Sequence, residues 1–187
     1  MAERIIFPTL PLTVVEFIPW AEAQPSGRFE LLAGEVVAMA PERVQHLRAK
    51  GNAYTALRQA IRSAGLPCEA LPDGAMVRVD DDTAYEPDVT VICGAPPAAN
   101  EVVVSNPTIL VEVTSPSNSR VDLTTKLADY FRIASVRHYL VVHLARRLVI
   151  HHRRDEDGAI ATRMLPGGSL TLDPPGITVG VEDLFAA

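Results

Sequence analysis

No apolar stretch in this chain approaches the ~20 residues that a membrane-spanning helix needs. The first residues, MAERIIFPTL, lack a basic region followed by a hydrophobic core and a cleavage site. A soluble, cytoplasmic protein without a membrane partner is expected. Cysteine is almost absent. Only Cys68 and Cys93 occur, each inside an apolar strand-like run, and buried free thiols in a reducing compartment are the expectation. Four of the five histidines, His138, His143, His151 and His152, show neither the helical HExxH spacing nor a Cys/His zinc pattern, which argues against a zinc site. There is no GxSxG, no phosphate-cradling glycine loop and no dinucleotide fingerprint, so those enzyme classes are set aside. Basic residues are also short: 17 Lys and Arg stand against 23 Asp and Glu, a formal charge of −6. That balance argues against the broad basic surface of a tight DNA binder. It weighs less against a protein built around a metal site, because such a site itself collects carboxylates.

What the chain does have is length and hydrophobicity enough for one core: 187 residues, 48% of them hydrophobic. A single domain over 1–187 is expected, with an N-terminal arm and short helix in 1–26 and the core in 27–187. Thr13 and Glu16 have capping-box spacing for a helix from Thr13 to Trp20. Arg28–Leu32 and Glu35–Ala40 read as a hairpin about Ala33-Gly34, and Cys68–Leu71 with Ala75–Val79 as a second strand pair about Pro72-Asp73-Gly74. Between them, Val44, Leu47, Gly51, Tyr54, Leu57, Ile61 and Ala64 recur at helical spacing within Glu42–Ala64, the longest expected helix. The run Asp80-Asp81-Asp82 lacks the spacing of a calcium loop and reads as a solvated turn. Gly94–Asn106 reads as a loop, and His138–Leu144, Leu148–Arg153 and Ile160–Leu165 as strands. Arg146, Arg147, Arg153 and Arg154 form the one dense cationic cluster, read as a solvated strand edge.

The chain is organised around Tyr85–Tyr130. Pro87-Asp88 opens a short β-branched run, and Glu112 sits inside the apolar run Thr108–Thr114. Strand alternation places Ile109, Val111 and Val113 on one face and Leu110, Glu112 and Thr114 on the other. A carboxylate buried there without a partner costs several kcal/mol, so Glu112 needs a cation, a metal or a proton. The same alternation carries Asp88 onto the Glu112 face if the two strands are neighbours. Past Ser115-Pro116-Ser117-Asn118-Ser119, Asp122 is placed to cap a helix whose apolar stripe is Leu123, Leu127, Tyr130, Phe131 and Ala134, with Lys126 beside it. Two hard carboxylates and an amine converging at strand ends are the minimum kit for a magnesium-dependent phosphodiesterase.

The order PD, then EV-x-SPS, then D-x-x-x-K-x-x-x-Y, resembles the bacterial Uma-two-type restriction endonuclease family of the PD-(D/E)XK nuclease superfamily. FELLAGEVVAMAP with His46 is similar to that family's opening motif and ITVGVEDLF to its ending, so the resemblance spans about Thr13 to Phe185. It implies an α/β fold, a restriction-endonuclease-like mixed β-sheet flanked by helices, and an endonuclease acting on DNA with Mg²⁺ or Mn²⁺. It also implies Asp88 and Glu112 as metal ligands with the Val113 carbonyl, and Lys126 as the water-activating lysine. The superfamily lysine usually stands two residues after the glutamate; Thr114 is there instead, and Lys126 fits the migrated position. Glu35 and His46 match family positions in the opening motif, and Glu30 falls in the same stretch; each is a secondary candidate. The family's Asp-Pro after the Lys126 helix is replaced by His143-Leu144. Paired cuts across a duplex would favour a homodimer. The competing reading from another class is a catalytically silent nuclease-like module that binds DNA or a protein, marked by absence of metal affinity.

Overall fold

The computed structural model describes residues 5–114 and 120–185, residues 120–122 by their backbone alone. In chain order the elements are α1 (Val14–Glu22), β1 (Phe29–Leu32), β2 (Glu35–Ala38), α2 (Val44–Ala64), β3 (Cys68–Pro72), β4 (Met76–Arg78), β5 (Ala84–Tyr85) and β6 (Val89–Cys93). Then follow β7 (Val103–Val104), β8 (Pro107–Thr114), α3 (Arg120–Tyr130), β9 (His138–His143), β10 (Leu148–Arg154), β11 (Ile160–Leu165), β12 (Ser169–Leu172) and β13 (Ile177–Gly180). The fold is α/β with mixed sheets. A six-stranded sheet runs in the order β11-β10-β9-β8-β6-β3, and a five-stranded one in the order β2-β1-β5-β4-β7. In the larger sheet β8 and β9 are parallel and the other neighbours antiparallel.

Alternation in β8 decides how the layers stack. Ile109, Val111 and Val113 join Val89, Val91, Leu140 and Val142 against Ala49, Ala53, Leu57 and Ile61 of α2. The opposite face presents Leu110, Tyr139 and Val141 to Leu123, Leu127 and Tyr130 of α3 and to Phe131 just past its end. The large sheet therefore lies between two helices, and β8 is buried in its middle except at the half-buried Thr108.

Local rules hold at several joints. Thr13 accepts from the Glu16 amide while the Glu16 carboxylate accepts from the Thr13 amide, closing the capping box of α1. The β1–β2 hairpin turns through Ala33 and Gly34 with φ of 48° and 80°, both left-handed, as a two-residue primed turn demands. At Gly34 a side chain would also fall 2.7 Å from Pro11 Cβ.

Other expectations are corrected. Cys68 and Cys93 are opposed across the β3–β6 ladder, with Cα atoms 4.0 Å apart, and are joined as a disulfide rather than standing as free thiols. The strands either side of Pro72-Asp73-Gly74 do not pair with each other: β3 joins the large sheet and β4 the smaller one, so that turn carries the chain between sheets. The loop 94–106 contains β7, which pairs with β4. Val44, Leu47 and Gly51 of the expected α2 stripe are exposed; the buried face at that end is His46, Ala49, Lys50 and Ala53. Helix α3 begins at Arg120, which puts Asp122 inside its first turn rather than at the cap, and it ends at Tyr130 rather than Ala134. The Ser115–Ser119 break lies outside the described residues, as does the Asp122 side chain. The β12–β13 hairpin, turning through two cis X-Pro bonds at Asp173-Pro174 and Pro174-Pro175, has no counterpart in the expected elements.

Candidate active site

Glu112 is the fixed point. It projects from β8 on the α3 side, and its Oε1 accepts from Tyr130 Oη at 2.6 Å and from Lys126 Nζ at 3.1 Å. Lys126 and Tyr130 stand four residues apart on α3, the spacing that stacks two side chains on one helical face. Lys126 Nζ also donates to Glu30 Oε1 of β1 at 3.0 Å and lies 5.1 Å from the centre of the Tyr85 ring. A helix residue, a central strand residue and a residue of the second sheet thus meet at one buried ammonium. Glu30 Oε1 in turn accepts from the Glu86 amide at 2.9 Å, which fixes the segment leading into Asp88.

Asp88 precedes β6. Continuing the Val89↔Val111 register would set it opposite Glu112, but its carboxylate is taken up from the α2 side. Lys50 Nζ lies 2.7 Å from Oδ1; His46 Nε2 lies 3.4 Å and the Val113 amide 2.6 Å from Oδ2. The two acids are therefore held by different helices, α2 for Asp88 and α3 for Glu112. Lys50 also bonds Glu42 Oε1 at 2.6 Å and Asp73 Oδ2 at 2.8 Å. Arg28 adds contacts to Asp73 at 2.8 Å and to Glu86.

The electrostatics of the two acids diverge. Burial pushes the Glu112 carboxyl up to about 7; Lys126 and Tyr130 work against that rise, while Asp88 and Glu30 add to it. Burial acts on Asp88 in the same direction but is outweighed by His46, Lys50 and the Val113 amide, which hold it below the usual carboxylate range. Lys50 stays above its ordinary value despite burial because three carboxylates surround it. Glu30, Glu42, Asp73, Glu86, Asp88 and Glu112 are six carboxylates facing three permanent cations, Arg28, Lys50 and Lys126. Among the described residues the site is short of positive charge.

A family model described as "Uma2: Putative restriction endonuclease" matches residues 14–186. The chain belongs to the Uma2 family. Its fold is similar to the crystal structure of a putative nuclease belonging to DUF820 from Anabaena variabilis, with a TM-score of 0.74, 15% identity, and coverage of 94% of this chain and 98% of that one. None of the curated proteins matches. No helix among the described residues is long and apolar enough to cross a membrane.

Of the residues singled out in the sequence of this Uma2 protein, Asp88, Glu112, Lys126, Glu30 and His46 come together, and Val113 joins them through its amide. Glu35 does not: it is exposed on β2, opposite Leu32 at the turn end of the hairpin. Sequence reasoning missed Lys50, Glu42, Asp73, Glu86 and Arg28. One signal was available for Lys50. It stands four residues after His46, and with Ala49 and Ala53 it completes a stripe of small and polar residues that outcompeted the apolar Val44–Leu47 side for the interior.

Proposed function

We propose that this Uma2 protein is a metal-dependent nuclease that hydrolyses phosphodiester bonds in DNA, using Mg²⁺ or Mn²⁺. The observation that carries the reading is the meeting of Lys126 with Glu112 beside Asp88: a lysine from the following helix stands where the superfamily pattern, carrying Thr114 here, would leave no cation. The donors fit a hard divalent ion. They are carboxylate oxygens, and among the described residues they outnumber the cations that face them. Asp88 and Glu112, with the Val113 carbonyl, are the residues that would hold the ion. When bound, it supplies positive charge to the reacting phosphate and makes water more acidic.

The chain's own groups do the rest. Lys126, held by Glu30 and Glu112, presents its ammonium to orient the attacking water and to offset charge on the phosphate in the transition state. Tyr130 keeps Glu112 Oε1 in place, and His46 with the Val113 amide keeps Asp88 ionised and oriented. Paired cuts across a duplex would require two copies about a two-fold axis.

Support for a nucleic-acid substrate comes from α2, because three of the four arginines in the 146–154 cluster are engaged elsewhere. Arg154 donates to the carbonyls of Phe131, Ile133 and Val136, Arg153 bonds Asp155, and Arg147 lies over the Phe185 ring. Helix α2, by contrast, has no acidic residue. Arg43 at its N-cap and Arg48, Arg58 and Arg62 along it are exposed, and among the described residues none pairs with a carboxylate. At 100° per residue Arg48, Arg58 and Arg62 fall within roughly 80° of one another and span about 21 Å, a stripe suited to a phosphate backbone despite the net charge of −6.

The test is cleavage of labelled duplex and single-stranded DNA with Mg²⁺ or Mn²⁺, against chelator and against Glu112→Gln. Cleavage lost under both controls is expected. An intact substrate in every condition, with no Mn²⁺ binding by calorimetry, overturns the reading in favour of a nuclease-like binding module.

A further inference from the structure

Lys50 is a buried lysine with one carboxylate for each of its three N–H groups: Glu42 Oε1 at 2.6 Å, Asp88 Oδ1 at 2.7 Å and Asp73 Oδ2 at 2.8 Å. The three acids come from separate parts of the chain, the segment before α2, the turn between the sheets, and the entry to β6. A salt bridge needs one acid. Three converging on one ammonium form the oxygen cage that a divalent ion uses, with the ion's place taken by Nζ. Arg28 relieves part of the excess through Asp73, but it stands 3.9 Å from Glu42. Two further observations belong to the same cage. Glu42 Oε2 is buried and has no partner among the described residues, and one ligand atom each from Glu42, His46 and Asp88 lies within 4.8 Å of the others.

We propose that Lys50 is the resident second cation of the active site, filling a carboxylate and imidazole pocket that takes a divalent ion once the lysine is removed. The parent protein then works with one exchangeable ion near Glu112 and a fixed positive charge on the far side of Asp88. The inference rests on the metal-dependent reading for its catalytic meaning, but its test does not. A lysine that merely braced α2 to the two sheets would leave metal stoichiometry untouched when replaced.

The experiment is Mn²⁺ titration of parent and Lys50→Met protein, counting bound ions by calorimetry and by loss of the free-ion electron paramagnetic resonance signal. Lys50→Met is expected to bind one more Mn²⁺ per chain than the parent, and to be stabilised by Mn²⁺ in thermal melts more than the parent is. Should Lys50→Met fail to fold, Lys50→Gln combined with Asp73→Asn removes an acid with the lysine and spares Glu42, His46 and Asp88; it should bind one more ion than Asp73→Asn alone. Equal stoichiometry in the folded pair overturns the proposal. Glu112→Gln separates the two claims. In the Lys50→Met background it should abolish the ion assigned to Glu112 and leave the added one. A parent that binds no ion, with a Lys50→Met variant that binds one, would sink the nuclease mechanism and keep this inference.

Discussion

Lys126 Nζ stands 3.1 Å from Glu112 Oε1, although one lies on a helix and the other on the central strand 14 residues earlier. The contact joins a buried acid to an amine on a long side-chain stem. Lys126→Ala should leave Mn²⁺ affinity largely intact and lower the cleavage rate by ~10²-fold or more, the scale of losing a positioned proton-transfer or charge-stabilising group. Lys126→Arg should rescue poorly, since a planar guanidinium cannot place its charge where the compact ammonium sits between Glu30 and Glu112. Single-turnover kinetics beside calorimetry would check both; parental cutting by Lys126→Ala would refute the role.

Glu112 supplies a prediction about stability as well as metal. Its folded carboxyl is raised to about 7 from an ordinary 4.5, chiefly by burial. Between those values the folded state holds a proton that the unfolded state has lost, so this group's contribution falls as pH rises from about 4.5 and is least favourable above 7. Glu112→Gln should therefore be better tolerated at pH 8 than at pH 5, by about 1–3 kcal/mol, while losing divalent affinity. Urea melts at the two pH values decide the first part. A larger loss of stability at pH 8 than at pH 5 would show that the Lys126 pairing outweighs the burial cost.

Much of this architecture was legible because β8 obeys strict alternation. Ile109, Val111 and Val113 had to face one helix, and Leu110 and Glu112 another. The site was legible only where a single residue was anomalous for its surroundings, as Glu112 is within ILVEVT. Lys50 was not anomalous: a lysine in a long helix is ordinarily solvent-facing, and only the three-dimensional convergence of Glu42, Asp73 and Asp88 turns it inward. The β3–β4 error has the same origin. Pro72-Asp73-Gly74 carries turn chemistry whether its flanking strands pair or part, and Asp73 had no local sign of its role. Cys68 and Cys93 are 25 residues apart, and their opposition depends on the β3–β6 register, which no short-range pattern encodes.

His138 and His151 set a different pH limit. His138 Nε2 lies 2.8 Å from the Pro174 carbonyl and therefore donates, so Nδ1 accepts from His151 Nε2 at 2.9 Å. His151 Nδ1 is buried and has no partner among the described residues. Burial holds both rings down to about 4, with Arg137, Arg153 and Arg163 nearby adding to the effect and Asp173 opposing it at His138. For a depressed histidine, stability is complete above the unfolded value near 6.5 and is lost as pH falls toward 4, because the unfolded chain gains the protons. Glu112 changes in the opposite direction over part of that window, so the measurement belongs in a Glu112→Gln background. A loss of roughly 2–4 kcal/mol between pH 7 and pH 5 is expected there, and His151→Phe should remove about half of it, the His138 share remaining. An unchanged slope in His151→Phe would assign the acid limb to other groups.

The arginines of α2 make the substrate reading quantitative. If DNA tracks the stripe of Arg48, Arg58 and Arg62, each contact releases counterions, and the dependence of log affinity on log salt carries a slope of about −0.9 per phosphate neutralised. Binding can be measured apart from cutting by using Glu112→Gln protein, which keeps α2 intact. Arg58→Ala with Arg62→Ala should weaken duplex binding and make that slope shallower by about 2, without dependence on sequence, because backbone contacts position a duplex rather than read it. Neither residue touches the carboxylate cluster, so fold and Mn²⁺ affinity should be those of the parent. The opposing charges near this face are Glu182 and Asp183, which border the groove beside Gln59 and Ser63. Their replacement by Gln and Asn should strengthen binding where the arginine changes weaken it. A salt slope unmoved by either pair would place the nucleic acid on another surface, and the exposed rim around Leu47, Met39 and Arg28 at the mouth of the site would be next to test.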